Sequence, residues 1–194
     1  MRRYIFYVLL IILITAGCAR LQVPLDNAFP YRAEFEGEAF IGGQATPISG
    51  AICLTSATAG VAQVYGPGGL AAYTIAMQDG EVKLMDMWGD LLDTFTIPLH
   101  DGIGLLAGVP PGGSYLYQRT VTQGRRIVYP WGDLLLDEGM RPREMHVSRG
   151  QALDLSFVPD IAGMGLLIQR GSDKLNLTFH TVQGGRWGHD HHNM

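Results

Sequence analysis

Apolar residues alternate with small or polar ones in short stretches along most of the chain: Phe35, Ala39 and Ile41; Ile52 and Leu54; Val61 and Val64; Leu70 to Met77; Val82, Leu84 and Met85; then Tyr115, Tyr117 and Thr120. The alternation resumes in residues 126–129, 134–136, 143–147, 153–158, 166–168 and 175–179. A period of two puts every second side chain on one face of a strand, so the pattern predicts half-buried strands. Between them stand Gln123-Gly124, Gly132-Asp133, Glu138-Gly139, Arg149-Gly150 and Gly171-Ser172-Asp173. Such residues tolerate the positive φ of twisted hairpin turns. The expected fold is mainly β. About ten or eleven strands in one domain make a sheet curl or close, because a long flat sheet exposes its edges.

Helical spacing occurs only between residues 89 and 109, where Leu91, Leu92 and Phe95 are followed by Ile103, Leu106 and Ala107. Pro98 interrupts this stretch, Gly102 and Gly104 weaken it, and the run from Gly108 to Gly113 ends it. One or two short helices are expected there, forming a small plug against the curved sheet. Asp90 and Asp133 each follow a Trp-Gly pair and read as hairpin turns.

The beginning of the chain has another character. Arg2 and Arg3 precede an apolar run from Tyr4 to Ile14, shorter than the ~20 residues that span a bilayer and suited to a secretory signal. Thr15-Ala16-Gly17-Cys18 closes the run and resembles a bacterial lipobox, with Thr15 where Leu is commoner. On this reading residues 1–17 are removed and Cys18 carries lipid. Twelve basic side chains then face eighteen acidic ones, a formal charge of −6 against −4 for the whole chain. Ala19 follows Cys18 in place of the Asp that retains enterobacterial lipoproteins at the inner membrane, which points to the periplasmic face of the outer membrane. Residues 18–32, with Pro24 and Pro30, suit a tether. The body is expected at 33–183 and a flexible tail at 184–194. Cys53 is left without a disulfide partner and reads as a small buried hydrophobe.

Charge and motif content narrow the function. Charged residues make up 16% of the chain and only two are lysines, so no basic stripe faces a nucleic acid backbone. Gly66-Pro67-Gly68-Gly69 joins strand to strand without a Lys, which excludes a phosphate cradle. No Gly-x-Ser-x-Gly elbow or Cys-x-x-Cys pair is present, and neither an enzymatic activity nor a cofactor is implied. His189, His191 and His192 form the one cluster with metal-ligand chemistry, in a tail whose ordering costs ~1–2 kcal/mol per residue. His146 and His180 fall in strand patterns. Methionines at 77, 85, 87, 140, 145 and 164 adapt to irregular apolar shapes, including acyl chains. Tethered, apolar and poor in reactive groups, the chain reads as a binding protein.

Residues Val64 to Leu70, followed by Tyr73 to Asp86, resemble the strand, proline loop, strand and hairpin of the outer-membrane lipoprotein receptor family LolB. Leu106-Ala107-Gly108-Val109-Pro110 is similar to that family's helix end and Gly-Leu-Pro turn, and Arg141 to Val147 to its proline-led strand. The resemblance covers roughly residues 33–160 and lies in order and spacing. It implies a half-open barrel of about eleven strands with helices at its mouth. It also implies an interior for acyl chains, acylated lipoproteins or lipids as ligands, and a soluble periplasmic carrier as partner. The loop of Pro67, Gly68 and Leu70 corresponds to the one with which the family engages the membrane. Gly68 stands where the family has an exposed leucine, while Leu70, at the start of a strand, reads more simply as core. The expected cavity walls are Val64, Ile75, Met77, Leu84, Leu106, Met145, Leu155 and Phe157. The alternative is an envelope scaffold that binds a protein partner and needs a filled core instead of a cavity.

Overall fold

The computed structural model of the protein describes residues 28–66, 68–96, 101–148, 153–160 and 163–187. Six strands come first: β1 (Tyr31–Ile41), β2 (Gln44–Leu54), β3 (Ala59–Tyr65), β4 (Ala71–Gln78), β5 (Glu81–Asp86) and β6 (Leu91–Thr96). A 3-10 helix, Gly102–Ala107, separates them from seven more. These are β7 (Tyr117–Val121), β8 (Gly124–Tyr129), β9 (Gly132–Leu136), β10 (Pro142–Val147), β11 (Leu153–Asp160), β12 (Gly163–Arg170) and β13 (Asp173–Gln183). All thirteen form one antiparallel sheet in the order β6-β5-β4-β3-β2-β1-β13-β12-β11-β10-β9-β8-β7. The first strand pairs with the last over nine residue pairs, Arg32 with Gln183 through Phe40 with Lys174. The chain thus lays one wing outward from the centre, crosses to the far edge and builds back. The sheet curves without closing, and β6 and β7 are its free edges.

The alternation read from the sequence becomes two faces. Inward rows join Ala33 to Ile52, Ile52 to Ala62 and Ala62 to Ile75. On the other wing Phe35 pairs with Phe179, Leu177 with Leu166 and Leu166 with Phe157. Most of these side chains are buried, and each large one contributes about 1.5–3 kcal/mol by leaving water. Phe35 and Phe179 meet at 5.5 Å between ring centroids. Gly50, opposite Phe35, leaves room for that ring, since a Cβ there would collide with it. The outward face of β1 carries Glu34, Glu36 and Glu38 in one exposed column. Cys53 shares the outward face with Arg32 and Val61 and is half-buried, more accessible than expected.

The region from 89 to 109 differs most from the sequence expectation. Leu91, Leu92 and Phe95 lie on strand β6, which raises the strand number above eleven and, among the described residues, leaves helix only at Gly102–Ala107. A tight turn decides this. The Asp86 carboxylate accepts the N–H groups of Trp88 and Asp90, both at 2.9 Å, and Gly89 takes φ +89°. The chain reverses there, and the next residues pair with β5, Phe95 opposite Val82. Backbone pairing outweighs the spacing of three apolar side chains. Asp90 does lie in that turn, whereas Asp133 lies inside β9, ion-paired at 2.7 Å with Arg126. Pro98 lies outside the described residues.

The body extends past both boundaries read from the sequence. Ala28 and Tyr31, placed in the tether, are fully buried. Trp187, placed in the tail, is 2% exposed and anchors a strap, Gly184–Trp187, in the core. Gly184 and Gly185 have φ of +68° and +79°, and the Gly185 N–H donates to the Ala28 carbonyl at 3.0 Å.

Candidate functional site

Curvature brings the inward rows of both wings around a space that the sheet's own side chains do not fill. The plug, Gly102–Ala107, caps one end of it. Its Ile103, Leu105 and Ala107 are buried, and Gly104 packs against the β2–β3 turn, where an added Cβ would lie 3.0 Å from the Ala57 Cβ. Gly108, at φ +74°, ends the helix and donates to the Leu105 carbonyl at 2.9 Å. From the plug the cavity runs along the strands to Val147, Leu153 and Ile168 at the opposite end of the sheet. Its volume is about 560 Å³, inside the ~300–1,000 Å³ typical of small-molecule sites. Among the described residues its walls are entirely hydrocarbon, thioether, aromatic or glycine.

Six of the expected wall residues come together here: Ile75 and Met77 from β4, Leu106 from the plug, Met145 from β10, and Leu155 and Phe157 from β11. Val64 packs against the core without lining the cavity. Leu84, half-buried on β5 opposite Ile75, also lies outside the lining. Sequence reasoning missed Phe35, Phe179, Trp131 and Leu105, which do line it. The alternation already put Phe35 and Phe179 on an apolar face; the pairing of first and last strands, which brings them together, has no local signal. Trp131 stacks on Tyr129 at 4.6 Å between centroids.

Among the described residues, charge stays outside this space. Asp101, at the start of the plug, accepts the Gly112 N–H at 2.6 Å, and the Tyr129 hydroxyl donates to the Pro111 carbonyl at 3.1 Å. Burial pushes the Tyr129 hydroxyl above its ordinary pKa, with Asp101 and Tyr115 adding to the effect. Near the strap, burial pushes the Tyr31 hydroxyl up to about 12, opposed by the neighbouring Thr181 hydroxyl. Neither buried oxygen makes a hydrogen bond of good geometry among the described residues. Beyond the plug, Asp137 is 8% exposed and accepts the Arg141 backbone N–H at 2.8 Å and its guanidinium at 2.9 Å. Burial and the Arg141 charge lower the Arg186 pKa, and Asp137 raises it in partial compensation.

The β3–β4 loop closes through the Gly66 N–H to the Leu70 carbonyl at 2.9 Å. Gly68, at φ +85°, faces open space. Leu70 is 68% exposed, which corrects its reading as core: β4 starts only at Ala71, so Leu70 belongs to the loop and not to the strand. Ile41, Met87, Trp88 and Leu91 are also exposed at this end of the sheet. No group of three metal-ligating side chains occurs among the described residues. His146 lies on the outer face, paired with Asp154, and His180 reaches Glu36 at 3.7 Å. Cys18, Pro67, His189, His191 and His192 lie outside the described residues.

No family model matches the chain, and no curated protein matches it. Among solved structures, the chain is similar to the crystal structure of a LolA superfamily protein from Nitrosomonas europaea, at 8% identity and a TM-score of 0.48, over 77% of this chain and 83% of that one.

Proposed function

We propose that the protein is a non-enzymatic lipoprotein that holds acyl chains of lipoproteins or lipids in its cavity and works at the periplasmic face of the outer membrane. The observation that carries this reading is a space of about 560 Å³ whose described walls offer a ligand no ion pair and no side-chain carboxylate, amide or hydroxyl. An acyl chain needs only such walls. Each methylene taken out of water is worth ~0.8 kcal/mol, and no covalent step is required. A scaffold without a lipid ligand would bury those side chains against one another.

Anchoring rests on the sequence: Arg2-Arg3, the apolar run to Ile14 and the Cys18 lipobox support lipidation, and Ala19 supports the outer membrane. The exposed Leu70 and Trp88 support a rim that touches lipid while cargo passes between membrane and cavity, with Trp suited to the interface. Transfer from a soluble carrier completes the proposed role. The test is delivery of an acylated protein from a carrier to vesicles by wild type and by the pair Leu70→Asp and Trp88→Asp. Delivery should fall in both variants with acyl binding retained. Undiminished delivery would remove the rim from the account, and failure of the wild type to bind acyl chains would remove the function.

A further inference from the structure

The carbonyls at the end of a short helix have no partners within it and must be satisfied from outside. In the plug they are satisfied by a segment about eighty residues further on. Leu106 O accepts the Trp187 indole N–H at 2.7 Å and Ala107 O the Arg186 backbone N–H at 2.8 Å. Gly108 O accepts the Arg186 guanidinium at 3.4 Å. The same guanidinium donates to the Gly139 carbonyl at 2.8 Å and the Met140 carbonyl at 3.4 Å, so it ties the plug to the β9–β10 turn. The Trp187 ring in turn stacks near-parallel on Phe157, 6.0 Å between centroids. Leu106 and Phe157 both line the cavity. The strap therefore grips the floor of the cavity through hydrogen bonds and its wall through a ring contact.

We propose that the strap Gly184–Trp187 fixes the depth of the cavity, and that Trp187 and Arg186 are thereby the positioning residues that set which acyl-chain lengths fit. This rests on the acyl-binding reading above. With the strap in place, the plug sits against Ala57 and the far end of a chain meets Leu106. Freed from Trp187 and Arg186, the plug keeps only the bonds that Gly108 and Val109 make to Leu105 and Gly104, its Leu106 and Ala107 carbonyls have no other hydrogen-bond partner among the described residues, and it yields to a longer chain.

The test uses the full chain, purified in detergent and offered an equimolar ladder of saturated fatty acids, with bound species read by native mass spectrometry. Trp187→Phe keeps an aromatic ring against Phe157 and removes the indole donor; Arg186→Lys keeps the charge and removes the fork. Hydrogen exchange at the Gly108 and Val109 amides, which bond back into the plug, reads the grip independently of any ligand. Faster exchange is expected in both variants, with the ratio of long to short bound chains raised about fivefold, the equivalent of one lost hydrogen bond. Unchanged exchange in both overturns the grip. Faster exchange with an unchanged chain-length profile overturns the depth role while leaving acyl binding intact. A wild type that takes up no fatty acid at all overturns both the proposal and the reading beneath it.

Discussion

Met77 offers the cleanest perturbation of the cavity. It lies on β4 between Gly60 and Val82, half-buried, with its thioether on the cavity wall. Phe157 is a poorer choice, because it is 2% exposed and stacked on Trp187, so a charge there would cost the fold as well. In Met77→Lys the long stem covers the same wall while the ammonium keeps water close to it. If that water denies burial to three methylenes of a bound chain, the loss is about 2.4 kcal/mol, roughly 60-fold in Kd. Met77→Leu, similar in volume, should bind within about threefold of wild type. Glu81→Lys, exposed at the start of the adjacent strand, should leave Kd unchanged. The assay is titration with a fluorescent fatty acid, alongside thermal unfolding to establish that each variant is folded. Folded Met77→Lys protein binding as tightly as wild type would refute the placement of the ligand.

Three further outcomes concern the frame around the cavity. Because the Tyr31 hydroxyl is held protonated to about pH 12 in the folded state against 10.0 for the free group, stability is present below pH 10 and is lost as pH rises through 12, by on the order of 2–3 kcal/mol. Tyr31→Phe should flatten that alkaline limb in denaturant titrations and, by removing a buried hydroxyl without a good partner, cost no stability at pH 7; an unchanged limb would contradict the assignment. Gly184→Ala should destabilise by roughly 1–3 kcal/mol more than Gly171→Ala, since both glycines have positive φ but only at Gly184 would a Cβ strike the Pro30 carbonyl. Equal melting shifts would show that the strap does not need its close approach. Arg141→Ala should cost about 1–3 kcal/mol, measured by chemical denaturation, because the nearly buried Asp137 carboxylate loses its 2.9 Å ion pair and keeps only the backbone N–H at position 141 and the more distant Arg143 at 3.7 Å.

The mainly β fold is legible in the alternation, and most strand positions follow from it, because the strands inside the sheet have one face on the core. The edge strand β6 is not. All six of its residues are exposed, so burial imposes no period of two on them, and Leu91, Leu92 and Phe95 fall at helical spacing by default. The Asp86 carboxylate that folds the preceding turn acts through two backbone N–H groups, a signal carried by one residue. The wall residues Ile75, Met77, Met145, Leu155 and Phe157 were legible because inward alternation and cavity lining coincide at these positions. Leu84 follows the same alternation and lies beyond the lining, since alternation fixes the face of a residue and not its distance from the plug. The strap was hidden for another reason. Gly184-Gly185 before a polar terminus looks like a hinge, yet the two positive φ angles serve to turn Arg186 and Trp187 back under the plug.

On the acyl-binding reading, the cavity of about 560 Å³ is a seat for acyl chains and not a packing defect. The decisive experiment is native mass spectrometry of the full chain, purified from an expressing bacterium without added lipid. A population carrying the extra mass of a fatty acid, phospholipid or acylated peptide is expected, lost in Met77→Lys and kept in Glu81→Lys. A ligand-free wild type that also takes up no fatty acid when one is supplied would contradict it.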